Sequence, residues 1–163
     1  MLQTAKVNSP FGCFELKGSE LGLQSVKRIS EEPCLDAPLS PAELLEAAEQ
    51  LSDYFAGRRQ KFDLQIDWGQ ATDFNKQVWL ELLRIPYGHT TTYSAIAKKI
   101  NHPTAVRAVG LANKNNPIAI IIPCHRVIAK SGHLQGYFYG LDMKRALLEL
   151  ENPGSFSRQG SLF

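Results

Sequence analysis

The chain has 163 residues, enough for one ordinary domain or two small ones with a real core and no need of disulfide staples. No apolar stretch is long enough to span a bilayer, and Met1-Leu2-Gln3-Thr4-Ala5-Lys6 does not begin a secretory signal, so no membrane partner and a cytoplasmic location are expected. Net charge is only +2 but uneven: residues 1–70 carry 7 Lys/Arg against 11 Asp/Glu and residues 71–151 carry 10 against 5, which points to a polyanion partner for the second half.

In chain order, Phe11-Gly12-Cys13-Phe14-Glu15-Leu16 and Leu21-Gly22-Leu23-Gln24-Ser25-Val26 alternate around Gly18 and read as a hairpin. Ser40-Pro41-Ala42-Glu43 supplies an N-cap, a first-turn proline and a capping-box glutamate for a helix carrying Leu44, Leu45, Ala48 and Leu51, which Gly57 ends. Residues 62–68 alternate with period two and read as a further strand, with a domain boundary near Gly69-Gln70. From Asp73 a helix with Phe74, Val78, Trp79, Leu82 and Leu83 on one stripe runs to Pro86-Tyr87-Gly88. Residues 90–100 and 105–112 give two short helices, the second capped by Thr104, in the form of a helix-turn-helix. The β-branched run Ile118 to Ile122 reads as a buried strand stopped by Pro123, and a last helix spans residues 142–151. The division expected is an N-terminal α+β domain over 1–70, a mostly helical domain over 71–152 and a tail over 153–163, an α/β (α+β) class overall.

Three cysteines, Cys13, Cys34 and Cys124, are an odd number without C-x-x-C or paired histidine spacing, so no disulfide framework and no metal site are expected, and Cys13 and Cys34 read as reduced thiols. Cys124 differs, because His125 follows it directly at the end of the strand. A thiol is a strong nucleophile only as thiolate, and an adjacent imidazole is the usual group to take its proton. Cysteine is also among the most buried residue types, so its neighbours decide.

Those neighbours carry a family. The series Val78-Trp79, Ile85-Pro86-Tyr87-Gly88, Thr92-Tyr93, Ile96-Ala97, Arg107-Ala108-Val109-Gly110, Asn115-Asn116-Pro117, Ile122-Pro123-Cys124-His125-Arg126-Val127, Gly136-Tyr137, Gly140 and residues 144–151 resembles the O6-alkylguanine-DNA alkyltransferases over residues 69–151. The resemblance implies a ribonuclease-H-like N-terminal domain, a helix-turn-helix and a short active-site strand. It implies DNA repair by direct reversal: a one-turnover, stoichiometric methyltransferase, a monomer needing no cofactor, that flips O6-alkylguanine out of double-stranded DNA. O4-alkylthymine is a second candidate substrate. Cys124 would be the acceptor, activated by His125 and Glu151 through a bridging water, with Asn116 as the hinge between the helix-turn-helix and the active site.

By the same resemblance Arg107 would fill the space the base vacates, Tyr93 would crowd its phosphate and help protonate the departing guanine, and α-helical small residues Ala105, Ala108 and Gly110 would let the second helix enter the minor groove. Asn75, Ser94, His102 and Lys130 map onto DNA contacts, and Val127, Tyr137 and Phe138 onto the base pocket. Lys98, Lys99 and Lys114 would add salt-sensitive attraction. Tyr139 stands where the family often has glycine, and should narrow the pocket rim in favour of small alkyl groups. Three rivals remain: an alkyltransferase-like lesion binder, which would carry tryptophan in place of Cys124; a cysteine hydrolase, disfavoured because neighbours on a strand point opposite ways; and a helix-turn-helix transcription regulator without alkyl transfer.

Overall fold

A computed structural model of the chain describes residues 1–36 and 39–155. The chain forms two units, Met1–Gln70 together with Pro117–Ile121, and Ala71–Asn116 together with the residues from Ile122 onward. The expected boundary near residue 70 thus has a second crossing, because a five-residue segment of the later half returns to the first unit. The expected tail beyond residue 155 lies outside the described residues.

The first unit is built on an antiparallel sheet of three strands in chain order, β1 (Gln3–Ser9), β2 (Gly12–Ser19) and β3 (Gly22–Ser30). The hairpin expected over residues 11–26 is its β2–β3 half. The strand β1 carries only Ala5 and Val7 as buried positions, a period-two signal two residues long, and went unread in the sequence. Ala5 pairs with Leu16 and Leu16 with Val26, so one row of buried apolar side chains crosses all three strands. Gly12 opens β2 at φ 119°, and a Cβ there would meet the Ser30 carbonyl oxygen at 2.1 Å, so both the backbone angle and the close strand approach demand glycine.

Helix α1 (Ala42–Phe55) covers this sheet with Leu44, Ala47, Leu51, Tyr54 and Phe55, the last packing on Phe14 at 5.3 Å between ring centroids. Its cap differs from the expectation: Pro41, not Ser40, is the N-cap, no side chain caps the helix, and the Pro41 carbonyl accepts from the Leu44 N–H. Its end follows the expectation. Gly57 at φ 76° places its own N–H on the Tyr54 carbonyl and the Arg58 N–H on the Asp53 carbonyl, a Schellman closure.

Two expected strands are reduced to single bridges. Residues 62–68 pair only at Ile66, opposite Leu23, and the run 118–122 pairs only at Ile118, opposite Val26. In the latter the chain turns at Ile120, whose φ of 73° is unusual for a β-branched residue. The active-site strand expected there is therefore not formed, and Ile118 to Ile122 are buried as a bent segment. A second correction concerns the thiols: Cys13 and Cys34 are joined as a disulfide. Spacing alone could not reveal a bond between a strand and the segment that follows the neighbouring strand.

The second unit holds α2 (Asp73–Leu82), a two-residue strand β4 (Thr91–Thr92), α3 (Tyr93–Lys99), α4 (Val106–Lys114), a 3₁₀ turn over Cys124–Arg126, β5 (Val127–Ile128) parallel to β4, and α5 (Leu141–Glu151). Thr72 and Thr92 cap α2 and α3 by accepting the Asn75 and Ala95 N–H groups at 3.2 and 3.1 Å. Thr104 does not cap α4; Ala105 takes that place with no side-chain bond. Helices α3 and α4 form the helix-turn-helix around Asn101 at φ 64°, and α2 is tied to α4 where Trp79 Nε1 donates to the Ala112 carbonyl at 2.8 Å.

The disulfide gives a direct check. Peptide mapping of the unreduced native protein should recover Cys13 and Cys34 as one linked pair, with Cys124 as the only thiol left to alkylate. Cys13→Ser should lower stability by about 3 kcal/mol, the loop-closure value for a bridge of this length. Three alkylatable thiols in air-exposed protein would contradict the assignment.

Candidate active site

Pro123 ends the bent apolar run, and the chain winds into the 3₁₀ turn of Cys124, His125 and Arg126. Cys124 is 6% exposed and His125 fully buried. The sequence placed Cys124 at a strand end with its side chain leaving the core; it sits instead on a tight helical turn within the core. That correction also removes one ground against a cysteine hydrolase, since residues on a 3₁₀ turn do not alternate between faces.

Glu151, at the end of α5, organises the site. Its Oε2 lies 2.7 Å from His125 Nε2, and Arg126 donates through Nε to Oε1 at 2.7 Å and through Nη2 to Oε2 at 3.1 Å. Arg126 Nη1 donates to the Ile85 carbonyl at 2.7 Å, and the guanidinium stands 5.7 Å from the Tyr87 ring centroid. With a carboxylate facing Nε2, the imidazole is assigned the tautomer with hydrogen on Nε2. Its Nδ1 is then a bare acceptor, buried and without a hydrogen-bond partner among the described residues.

Charges follow from this arrangement. Although burial opposes ionisation of Glu151, the imidazole and the guanidinium hold its carboxyl well below the usual range. Burial pushes the His125 imidazole down, against the pull of Glu151, so it is neutral at physiological pH. Burial likewise pushes the Cys124 thiol up, opposed by hydrogen bonding from Asn116 and by the charge of Lys144. Lys144 is fully buried on α5, donates to the Val127 and Gln135 carbonyls at 2.6 Å each, and is pushed down to about 8 by desolvation while the nearby sulfur favours its charge.

The structure therefore brings together Cys124, His125, Glu151 and Asn116, whose Nδ2 donates to the Ile122 carbonyl at 2.7 Å. Tyr93, the first residue of α3, donates through its hydroxyl to the Gln135 carbonyl at 3.0 Å, and desolvation raises its pKa, with the nearby sulfur adding to the effect. Val127 and Tyr137 are buried, Tyr139 is half-buried against Tyr137, and Phe138 is 66% exposed with its ring on Tyr139. Arg107 and Lys114 are exposed on α4, Lys98 and Lys99 on α3, His102 in the turn between them and Lys130 beyond β5. Ser94 and Asn75 are half-buried at the starts of α3 and α2, and His102 stacks edge-on against Phe74. Lys99 is partly compensated, 3.9 Å from Glu81.

Three members of the site were not singled out from the sequence: Arg126, Lys144 and Asn113, whose Nδ2 donates to the Cys124 carbonyl at 3.3 Å. A signal existed for two of them. Arg126 stands inside an otherwise buried run and needs a carboxylate there, while Lys144 falls on the same stripe of α5 as Leu147, Leu148 and Glu151.

The profile of the 6-O-methylguanine DNA methyltransferase, DNA binding domain, matches residues 73–153. A methylated-DNA–protein-cysteine methyltransferase from Methanosarcina barkeri is 48% identical over 149 residues, which cover 89% of this chain and 94% of that protein. The chain belongs to the methylated-DNA–protein-cysteine methyltransferase family. The crystal structure of Mycobacterium tuberculosis O6-methylguanine methyltransferase, 42% identical, superposes on this family member with a TM-score of 0.82 over 100% of both chains. A Mycobacterium tuberculosis structure in complex with DNA, 45% identical, gives 0.80 over 91% of this methyltransferase and 94% of its own chain.

Proton inventory at the Glu151 cluster sets the pH response of the methyltransferase. His125 and Glu151 both bind protons less readily when folded than their ordinary values of 6.5 and 4.5, so the unfolded chain takes up more protons as pH falls. Stability is fully present above the imidazole value and declines below it, further below the carboxyl value. Thermal unfolding followed from neutral to acid pH should show the midpoint dropping through this window, and a flat profile would contradict the buried, neutral imidazole. Arg126→Met, which strands Glu151 without its guanidinium, should cost about 3–5 kcal/mol.

Proposed function

We propose that this protein repairs alkylated duplex DNA by moving the alkyl group from guanine O6 to the sulfur of Cys124, one group per molecule. The observation that carries the residue assignment is the bare Nδ1 of His125, a base poised on the imidazole whose other nitrogen is committed to Glu151. Through an intervening water, Nδ1 takes the thiol proton, and Glu151 stabilises the imidazolium without accepting the proton itself. The thiolate attacks the alkyl carbon, the carbon–oxygen bond breaks as the carbon–sulfur bond forms, and the guanine leaves through O6 and regains a proton. Desolvation keeps the hydrogen on the Tyr93 hydroxyl at neutral pH, and in this reading that hydroxyl leaves the Gln135 carbonyl to supply the proton. A thioether offers no easily expelled group, so the protein is consumed.

Guanine O6 lies within the base stack, so the nucleotide must be rotated out before the sulfur can reach it. In this reading α4 enters the minor groove, exposed Arg107 occupies the vacated space, and Ser94, Asn75, His102, Lys130, Lys98 and Lys114 contact the backbone. Val127, Tyr137, Phe138 and Tyr139 form the pocket for the extruded base. A DNA substrate supports a cytoplasmic location; the Cys13–Cys34 bond is the opposing observation, since reducing compartments open such linkages.

Intact-protein mass spectrometry after mixing with a duplex containing O6-methylguanine should show a gain of about one methylene mass, on the peptide holding Cys124 and absent in Cys124→Ser, because a hydroxyl is too weakly acidic for the same base. Binding of the duplex with no mass change would favour a lesion-binding or regulatory helix-turn-helix protein instead. Tyr139→Gly should react faster than wild type with benzylguanine, and an unchanged rate would show that Tyr139 does not restrict the rim.

A further inference from the structure

The carbonyls of the residues on either side of Pro123 accept from two side-chain amides, Asn113 in the last turn of α4 and Asn116 two residues beyond its end. Asn116 Nδ2 donates to the Ile122 carbonyl at 2.7 Å, and Asn113 Nδ2 donates to the Cys124 carbonyl at 3.3 Å. Asn113 lies in the last turn of α4, 1% exposed, on the face shared with Val109 and Ala112. The other face of the same helix presents Arg107, Leu111 and Lys114 to solvent. One short helix thus carries exposed cations on one side and the grip on the nucleophile's backbone on the other.

The grip comes with a structural cost. A carbonyl can only accept, so the Asn113 amide must turn its nitrogen to Cys124, which fixes the orientation that is otherwise ambiguous for this side chain. Its Oδ1 is then buried with no hydrogen-bond partner among the described residues. A buried acceptor left unpaired is destabilising. Leucine or methionine, each with four side-chain heavy atoms like asparagine, would occupy the same interior with a bulkier apolar group and no orphaned oxygen. Packing therefore does not call for asparagine at this position, whereas the hydrogen bond to the reactive residue does.

We propose that Asn113 is a positioning residue for alkyl transfer, fixing the backbone of Cys124 to the end of α4 so that the sulfur stands at a set place relative to DNA held by that helix. The inference rests on the DNA alkyl-transfer reading above. Asn116 holds the carbonyl before Pro123 from outside the turn, and Asn113 does the same for the one after it, which belongs to the nucleophile itself; the other bonds to these carbonyls, from the Cys124 and Val127 N–H groups, lie within the turn and do not tie it to α4. With both held, the 3₁₀ turn cannot swing about Pro123, and the sulfur meets the alkyl carbon without a search. Displacement of a reacting atom by about 1 Å can cost on the order of a hundredfold in rate.

The test uses Asn113→Leu and Asn113→Met in the full chain, with three measurements on each: the unfolding midpoint, the affinity for a methylated duplex in a Cys124→Ser background, and the first-order methyl-transfer rate at saturating duplex. The midpoint should equal or exceed that of wild type, affinity should stay within about twofold, and the rate should fall by at least about tenfold. Asn113→Gln, which keeps the donor on a longer arm, should recover part of that rate. Transfer within about twofold of wild type in either apolar variant would overturn the proposal. So would a rate loss matched by an equal loss of affinity, or failure of both apolar variants to fold, since the interior would then need the amide for packing. A wild-type protein that transfers no methyl group overturns the functional reading as well, which separates the two failures.

Discussion

A carboxylate withdrawn from water must be fully paired, and the interior around Glu151 is arranged to meet that demand. Its two oxygens are shared between a neutral imidazole and a guanidinium, so losing the guanidinium would leave an uncompensated charge and losing the imidazole an unpaired hydrogen-bonding site. The guanidinium in turn is held by the Ile85 carbonyl and lies over Tyr87, which places the segment after α2 against the end of α5. There the Asn152 side chain donates to the Gly88 carbonyl at 3.2 Å, and Gly88 takes a φ of 82°. Chain ends, turn and charge cluster are thus one construction. What it produces is a histidine with a fixed tautomer, and hence an Nδ1 lone pair without a hydrogen-bond partner among the described residues.

Cys124 is placed by a different set of contacts. Residues that bend the chain, namely Ile120 and Pro123, turn Cys124 off any regular ladder; the Ile122 and Cys124 carbonyls accept the Cys124 and Val127 N–H groups within the turn and, in addition, the amides of Asn116 and Asn113. Lys144 ties the far side, bonding both the carbonyl of Val127, just beyond the reactive turn, and that of Gln135, which also accepts from Tyr93. A cation at that point lowers the cost of forming a thiolate in a dry interior. The same lysine joins the loop bearing Tyr137 to the core of the unit.

Helix patterns were well readable in the sequence because an apolar stripe at helical spacing has few competing meanings. Val78, Trp79 and Leu82, Leu44 and Leu51, and Leu147 and Leu148 all face inward as their spacing requires, whereas Leu45 and Leu83, read on the same stripes, are exposed. Strands were read less well. The run Ile118 to Ile122 has the composition of a buried strand, yet burial is all that composition guarantees, and the positive φ at Ile120 leaves no mark in it. The strand β1 carried too few apolar positions to stand out. The Cys13–Cys34 bond and the roles of Arg126, Lys144 and Asn113 depend on which segments meet in space. The order of Cys124, His125 and Glu151 was legible through family resemblance, but the direct contact between His125 and Glu151, and its sharing with Arg126, was a matter of geometry.

Proton removal from Cys124 by His125 requires a neutral imidazole with hydrogen on Nε2 and none on Nδ1. Long-range ¹⁵N–¹H correlation spectra of the histidine side chains, recorded across a pH series, read this directly. The expected result is an Nε2–H tautomer for His125 that persists from about pH 8 to below the ordinary imidazole range, while exposed histidines titrate normally. A His125 that carries hydrogen on Nδ1, or that becomes an imidazolium near its ordinary pKa, would contradict the account.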